Sequence, residues 1–254
     1  MRRIGFGGLP LIMALLLSAG LVAGNAARAE HDAKTAAQAQ SERMIHKYLL
    51  AHPEVVLEVL ELLRTKKQAG KEQRGRDALA ANRETLLNDP TSPVAGNPNG
   101  DVTLVEFFDY RCPYCKRVLP SVLKVMDGDP GLRVVFKEFP ILGPDSVLAA
   151  RAALAANRQD PTKYLAFHNA LMSSRPRLNQ KRILQIAREI GFDADRLEAD
   201  MKSPEIDTIV ERNAALARAL GISGTPAFVI GDEIVPGAID VDTLRRLIAQ
   251  ARQS

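Results

Sequence analysis

The hydrophobic pattern changes character several times along the chain. A continuous apolar run at residues 9 to 23 comes first, preceded by Arg2 and Arg3 and followed by Ala27-Arg28-Ala29. A basic head, an apolar middle and a small-x-small site make up a secretory signal, and the run is shorter than the ~20 residues of a membrane span. Residues 1–29 are therefore expected to be a cleavable signal peptide, with an uncleaved anchor as the bland alternative. Residues 30 to 42 are polar. Met44, Ile45, Tyr48 and Leu49 then recur at helical spacing, and Val55, Val56, Val59, Leu60 and Leu63 form a second helical face after His52-Pro53. Pro53 suits the first turn of a new helix, where its missing N–H is harmless. The pattern predicts two short helices with a break near His52. A charged stretch, residues 64 to 76, is interrupted by Gly70 and Gly75, and helix resumes through Ala78, Leu79, Leu86 and Leu87. Residues 89–100, rich in Pro, Gly and Asn, read as a linker.

Beyond the linker the period switches. Residues 103 to 108 form a short, nearly continuous apolar strand, Pro113 opens a helix to about Met126, and residues 133 to 136 form a second strand. A helical section follows at about 144–221: one Ala-rich helix from near Asp145, one ending at Gly191, and one starting at Ser203-Pro204-Glu205 and stopping before Gly221. Residues 227 to 230 and 233 to 235 suggest a hairpin around Gly231-Asp232, and residues 241 to 251 a closing helix. Parallel strands joined by a helix, then an antiparallel pair, give a small mixed sheet with helices on its faces. The expected fold class is α/β: a thioredoxin fold at 101–254 with a helical insertion, preceded by an N-terminal helical segment at 30–88.

Charge adds little. The chain has 34 Lys and Arg against 30 Asp and Glu, and loss of the signal removes Arg2, Arg3 and Arg28, leaving a net of +1. No nucleic-acid partner is implied. Cysteine usage says more. The two cysteines share one C-x-x-C, Cys112-Pro113-Tyr114-Cys115. A bridge that closes so short a loop restrains the unfolded chain little, and zinc would need about four ligands. The four histidines (His31, His46, His52, His168) are scattered, so no metal site is expected. Redox chemistry remains. With Pro113 at the first helical position, Cys112 lies at the helix N-cap, where backbone N–H groups and the helix dipole favour a thiolate, and Arg111, Lys116 and Arg117 add positive potential. Cys112 is the expected attacking thiol and Cys115, one turn inside, the resolving thiol. Glu106 is a carboxylate inside an apolar strand; burial would raise its pKa and let it exchange a proton with Cys115. Asp109 and Glu138 read as surface or capping acids, and His168 as a helix-surface or packing residue.

At these residues the sequence resembles the DsbA-like branch of the thioredoxin superfamily: Val105-Glu106-Phe107-Phe108-Asp109-Tyr110, the C-x-x-C, Lys137-Glu138-Phe139-Pro140 and Gly224-Thr225-Pro226-Ala227-Phe228. Within that branch it is similar to ScsC-like and DsbC/DsbG-type periplasmic isomerases, with residues 43 to 66 resembling the ScsC N-terminal segment. The resemblance implies a cis Thr225-Pro226 bond facing the C-x-x-C, with Pro113, Tyr114, Thr225 and Pro226 contacting substrate. It also implies that Lys137 partners Glu106; the bland alternative is a strand-end salt bridge without catalytic part. No cofactor is expected.

What the resemblance implies for function is a periplasmic thiol:disulfide interchange protein acting on protein disulfides, as isomerase or reductase, with a membrane thiol reductase as partner and homo-oligomers formed through the N-terminal helices. Two alternatives stay open: a monomeric disulfide oxidase, and a copper-binding or copper-tolerance protein whose two thiols hold Cu(I).

Overall fold

Helix α1, residues 34 to 51, ends at His52, and α2 follows at once as Pro53–Leu87. These elements belong to a computed structural model that describes residues 34–175 and 177–253; the signal-peptide expectation at 1–29 lies outside the described residues. The break falls at His52, as the pattern predicts. Its N–H still donates to Tyr48 O, its carbonyl accepts from Val55 N, and its ring sits 4.4 Å from the Tyr48 ring. The chain divides into two compact units, 1–69 and 70–254. In the first, Met44, Ile45, Tyr48, Leu50, Val56, Leu57, Val59, Leu60, Leu62 and Leu63 are all exposed. Among the described residues, this helix pair has no core of its own in which to bury so much apolar surface.

The second unit is built on a five-stranded sheet in the order β1-β3-β2-β4-β5: β1 Val94–Gly96, β2 Val102–Phe108, β3 Leu132–Glu138, β4 Ala227–Ile230 and β5 Glu233–Pro236. Only β2 and β3 pair in parallel, joined by α3, Pro113–Gly128. The helical insertion comprises α4 Pro144–Gln159, a 3-10 turn Pro161–Lys163, α5 Tyr164–Ser173, α6 Gln180–Ile190, α7 Ala194–Asp200 and α8 Pro204–Ala219; α9, Val241–Ala251, closes the chain. The predicted stops at Gly191 and Gly221 hold: both are left-handed (φ 92 and 70), a backbone that glycine adopts without a Cβ clash.

Strand alternation sorts the sheet into two faces. Leu104, Phe108, Val134 and Phe136 pack with α3, α4, α5 and α9 in the larger core. Val105, Phe107, Val135 and Val229 pack on the other side with Leu79 and Leu86 of α2 and Leu216 and Leu220 of α8.

Two expectations change. Residues 64 to 76 do not interrupt the helix. Gly70 and Gly75 each cost only about 1 kcal/mol there, and the Lys, Glu, Gln, Arg and Ala around them are good helix formers. Residues 89–100 are not a free linker either. Val94 to Gly96 pair with Arg133 to Val135 as an edge strand, and Ser92 is buried. The last turns of α2 thus supply core to the second unit.

Candidate active site

Strand β2 runs into the site. Its last residue, Phe108, is fully buried, and a turn at Asp109 to Arg111 leads to Cys112 at the N-cap of α3 (φ −71, ψ 119), with Pro113 at the first helical position. Cys112 N donates to Asp109 O at 3.0 Å, and its carbonyl accepts the first helical bond, from Lys116 N at 3.1 Å. The helix buries Cys115, Val118, Leu119, Val122 and Val125, which anchors the inner thiol in the core while Tyr114 remains 53% exposed. Arg117 lies over the Tyr114 ring at 5.1 Å.

Both cysteines are free thiols. The Thr225-Pro226 bond is cis, and Cys112 Sγ donates to Thr225 O at 3.2 Å. Residues 113 positions apart therefore meet at one sulfur, as the resemblance implies. Thr225 offers this contact through its backbone, so no side-chain pattern announces it. Burial pushes the Cys115 thiol well above its ordinary range. An N–H bond from Asp109 pulls it back, while the nearby Glu106 charge and Cys112 raise it further.

Glu106 is 2% exposed, and burial alone raises its carboxyl to about 8. Its register partner on β3 is Phe136, so it faces α3 and Cys115. Lys137 does not join it. Lys137 pairs in register with Phe107, one residue on, and so projects from the opposite face of the sheet. There its ammonium donates to Thr85 O at 2.8 Å and Ser92 Oγ at 2.7 Å, and lies 3.5 Å from Asp89 Oδ2. Burial lowers its pKa to about 8, against the pull of Asp89. The expected partnership of Lys137 with Glu106 is thus corrected: the lysine clamps the end of α2 and residues 89–92 onto the sheet.

Glu138, expected at the surface, is buried among Tyr110, Tyr164 and His168. The Tyr110 hydroxyl donates to Glu138 Oε1 at 3.2 Å and lies 3.1 Å from His168 Nδ1. Burial raises Glu138 well above the usual carboxylate range, with tyrosine hydrogen bonds opposing, and lowers His168 to about 3. His168 is a neutral packing residue, its ring 4.8 Å from that of Phe108. Asp109 caps, as expected of it, but from the interior: it is 1% exposed. Neither the Tyr110–Glu138 pair nor the role of Thr225 O is visible in residue spacing. The only signal for the pair is the alternation that puts 106, 108, 136 and 138 on one face.

Among the described residues, no group of three or more His, Cys, Asp or Glu is placed to hold a metal ion, and no helix is long and apolar enough to cross a membrane. Residues 103–249 match the DSBA-like thioredoxin domain, and residues 38–69 match the copper resistance protein ScsC N-terminal domain. The structure is similar to a thioredoxin-like oxidoreductase from Silicibacter pomeroyi DSS-3 (49% identity, TM-score 0.65, 68% of this chain and 99% of that one). It is also similar to the catalytic domain of Proteus mirabilis ScsC (35% identity, TM-score 0.65, 70% of this chain and 99% of that one). A curated relative, the Na(+)/H(+) antiporter NhaA of Herminiimonas arsenicoxydans, is 30% identical over 174 residues, 66% of this chain; the match spans only 27% of that relative's length. A C-x-x-C at a helix start, a cis-proline carbonyl on its outer sulfur and these matches lead to one conclusion: the chain belongs to the DsbA-like thioredoxin-domain family of thiol–disulfide oxidoreductases.

Proposed function

We propose that the protein is a periplasmic thiol:disulfide interchange enzyme for protein substrates, working as an isomerase or reductase. The observation that carries this is Cys112, a free thiol at the start of α3 with its sulfur against the Thr225 carbonyl. The Cys112 thiolate attacks one sulfur of a substrate disulfide, forming a mixed disulfide and releasing the other substrate sulfur as a thiolate. In isomerisation, that thiolate attacks a second substrate disulfide, and the thiolate this frees attacks the mixed disulfide, closing a new substrate bridge and releasing Cys112 as the thiolate it began as. In reduction, Cys115 loses its proton and attacks Cys112 Sγ. The second substrate thiolate departs, and two electrons have passed from the enzyme to the substrate, leaving a Cys112–Cys115 disulfide. A membrane thiol reductase would return the enzyme to its dithiol form. Glu106 faces the inner thiol and is the candidate to take its proton. Pro113, Tyr114, Thr225 and Pro226 are the proposed substrate contacts around Cys112.

Oligomerisation through residues 34 to 69 completes the reading. The exposed apolar side chains there need a cover, and the match of residues 38–69 to a ScsC N-terminal domain supports a second copy as that cover. Several tethered active sites would raise the effective concentration of thiols on one misfolded chain, which repeated exchange requires. The test compares the mature chain with a chain beginning at residue 70, by light scattering and by refolding of a scrambled disulfide protein. An oligomeric mature chain that isomerises, and a shorter monomeric chain that does not, are expected. A monomeric mature chain that only oxidises thiols would favour the disulfide oxidase. Stoichiometric Cu(I) on the purified protein, without turnover, would favour the copper reading.

A further inference from the structure

The positive side chains around Cys112 are held in place by neutral groups. Arg111, its neighbour in the chain, donates through Nη1 to Leu142 O at 2.5 Å. Lys116, in the first turn of α3, donates through Nζ to Ser174 O at 2.9 Å, which ties the loop between α5 and α6 to the start of that helix. Arg117 lies over the Tyr114 ring at 5.1 Å. Arg175 follows Ser174 in the same loop and, like Arg111 and Arg117, is exposed. Among the described residues none of these four forms an ion pair, whereas Arg177, Arg245 and Arg252 each do. A carbonyl or a ring fixes a cation's position without cancelling its charge.

The acids on this side do not balance the excess. Asp109 is 1% exposed and its carboxylate is turned to backbone N–H groups: Oδ1 accepts from Arg111 N at 2.7 Å, and Oδ2 from Ile141 N at 2.8 Å and Leu142 N at 2.9 Å. Asp145 is taken by Arg177, which meets its two oxygens at 2.6 and 3.0 Å. Arg111, Lys116, Arg117, Arg175 and Arg177 thus stand against Asp109 and Asp145. Beyond Pro226 the charges are even: Asp240 and Asp242 open α9, with Arg245 and Arg246 beside them. Without residues 1–29 the whole chain carries a net of only +1, so the excess is a local feature of the α3 side of the site.

We infer that Arg111, Arg117 and Arg175 form a cationic rim that selects substrates by charge, favouring protein disulfides whose reactive cysteine is flanked by Asp or Glu. The inference rests on the proposed action on protein disulfides and names which of them are preferred. An acidic flank nearing Cys112 is drawn in by the field, and its carboxylates meet guanidinium groups with N–H donors to spare. A basic flank meets the same field as repulsion.

The test uses the reduced mature chain and three peptide disulfides that differ only in carrying Glu, Gln or Lys beside the cysteine. Rate constants for their reduction are measured at about 10 mM and at about 1 M salt, where the screening length is about 30 Å and about 3 Å. At low salt the Glu peptide is expected to react about ten-fold faster than the Gln peptide, and the Lys peptide more slowly than either. At high salt the three rates should converge. Arg117→Gln with Arg175→Gln should cut the Glu-to-Gln ratio at low salt to about two-fold or less. The ratio is the readout because loss of a cation near Cys112 also alters the thiolate, which scales all three peptides together. Both side chains are exposed, so the fold should survive; a thermal melt checks this, and if it fails the wild-type salt series decides alone. A Glu-to-Gln ratio near one at low salt, a ratio that salt leaves unmoved, or an unchanged ratio in the folded double variant would each overturn the rim. A wild-type chain that reduces all three peptides at equal rates would overturn the rim alone, and one that reduces none of them would overturn the protein-substrate reading with it.

Discussion

Glu106→Gln removes a charge that the fold does not accommodate easily. Burial raises the carboxyl from 4.5 to about 8. Between those values the native protein keeps a proton that the unfolded chain has released, so stability must fall as pH rises through this window. At 1.36 kcal/mol per pKa unit, the full cost above pH 8 is about 5 kcal/mol. The neutral, isosteric glutamine does not titrate. The two proteins should therefore be equally stable near pH 4, and the variant should gain steadily, reaching an advantage of about 5 kcal/mol by pH 9. Urea unfolding of the reduced proteins, monitored by far-UV circular dichroism at several pH values, measures this directly. Lys137 also titrates near 8, but it is common to both proteins and cancels in the difference. A difference between the two that stays constant with pH would refute the reasoning, because it would mean that Glu106 carries the same charge in the folded and unfolded chains.

The same substitution should slow Cys115-dependent release of a mixed disulfide more than its formation at Cys112, since the carboxyl faces the inner thiol; stopped-flow trapping of the intermediate separates the two steps. Iodoacetamide at mildly acidic pH should modify Cys112 before Cys115, whose thiol burial pushes up; equal labelling in peptide mass maps would contradict the assignment of roles. Lys137→Met should destabilise the fold by about 3–5 kcal/mol, as expected when one member of a buried ion pair is removed, while leaving the Cys112 labelling rate near wild type. A chain beginning at residue 89 should melt well below one beginning at 70, because it loses Leu79 and Leu86 from the core, worth about 1.5–3 kcal/mol each, and the Thr85 acceptor of Lys137.

The parts of this molecule that were readable from sequence are those written in local chemistry. Pro53, Gly191 and Gly221 mark helix boundaries because a missing N–H or a left-handed turn leaves few choices. Cys112-Pro113 announces a thiol at a helix start for the same reason. What escaped depends on distant partners. Val94 to Gly96 is three residues long, too short for any alternation to register, and becomes a strand only because Arg133 to Val135 offer an open edge. The loop donors to Asp109 are backbone N–H groups, which every sequence has. The Lys137 error has a sharper cause. A lysine known only to lie on the strand beside Glu106 can project from either face, and a one-residue difference in register decides which.

That parity has chemical consequences. Glu106 and Glu138 sit on the face that packs against α3, and no cation lowers either one. Lys137, with Asp89 and Arg212, is held on the other face. Had the lysine projected one face over, an ammonium beside Glu106 would have favoured the carboxylate and dropped its pKa toward or below the ordinary range. An acid ionised throughout neutral pH has little affinity for a thiol's proton. Left unpaired, Glu106 titrates at about 8, near the working pH, where it can both take and return a proton. The sheet therefore acts as a partition: the charge pairs that fasten α2 lie behind it, and the face toward the cysteines keeps two carboxyls raised chiefly by burial, with no cation beside them.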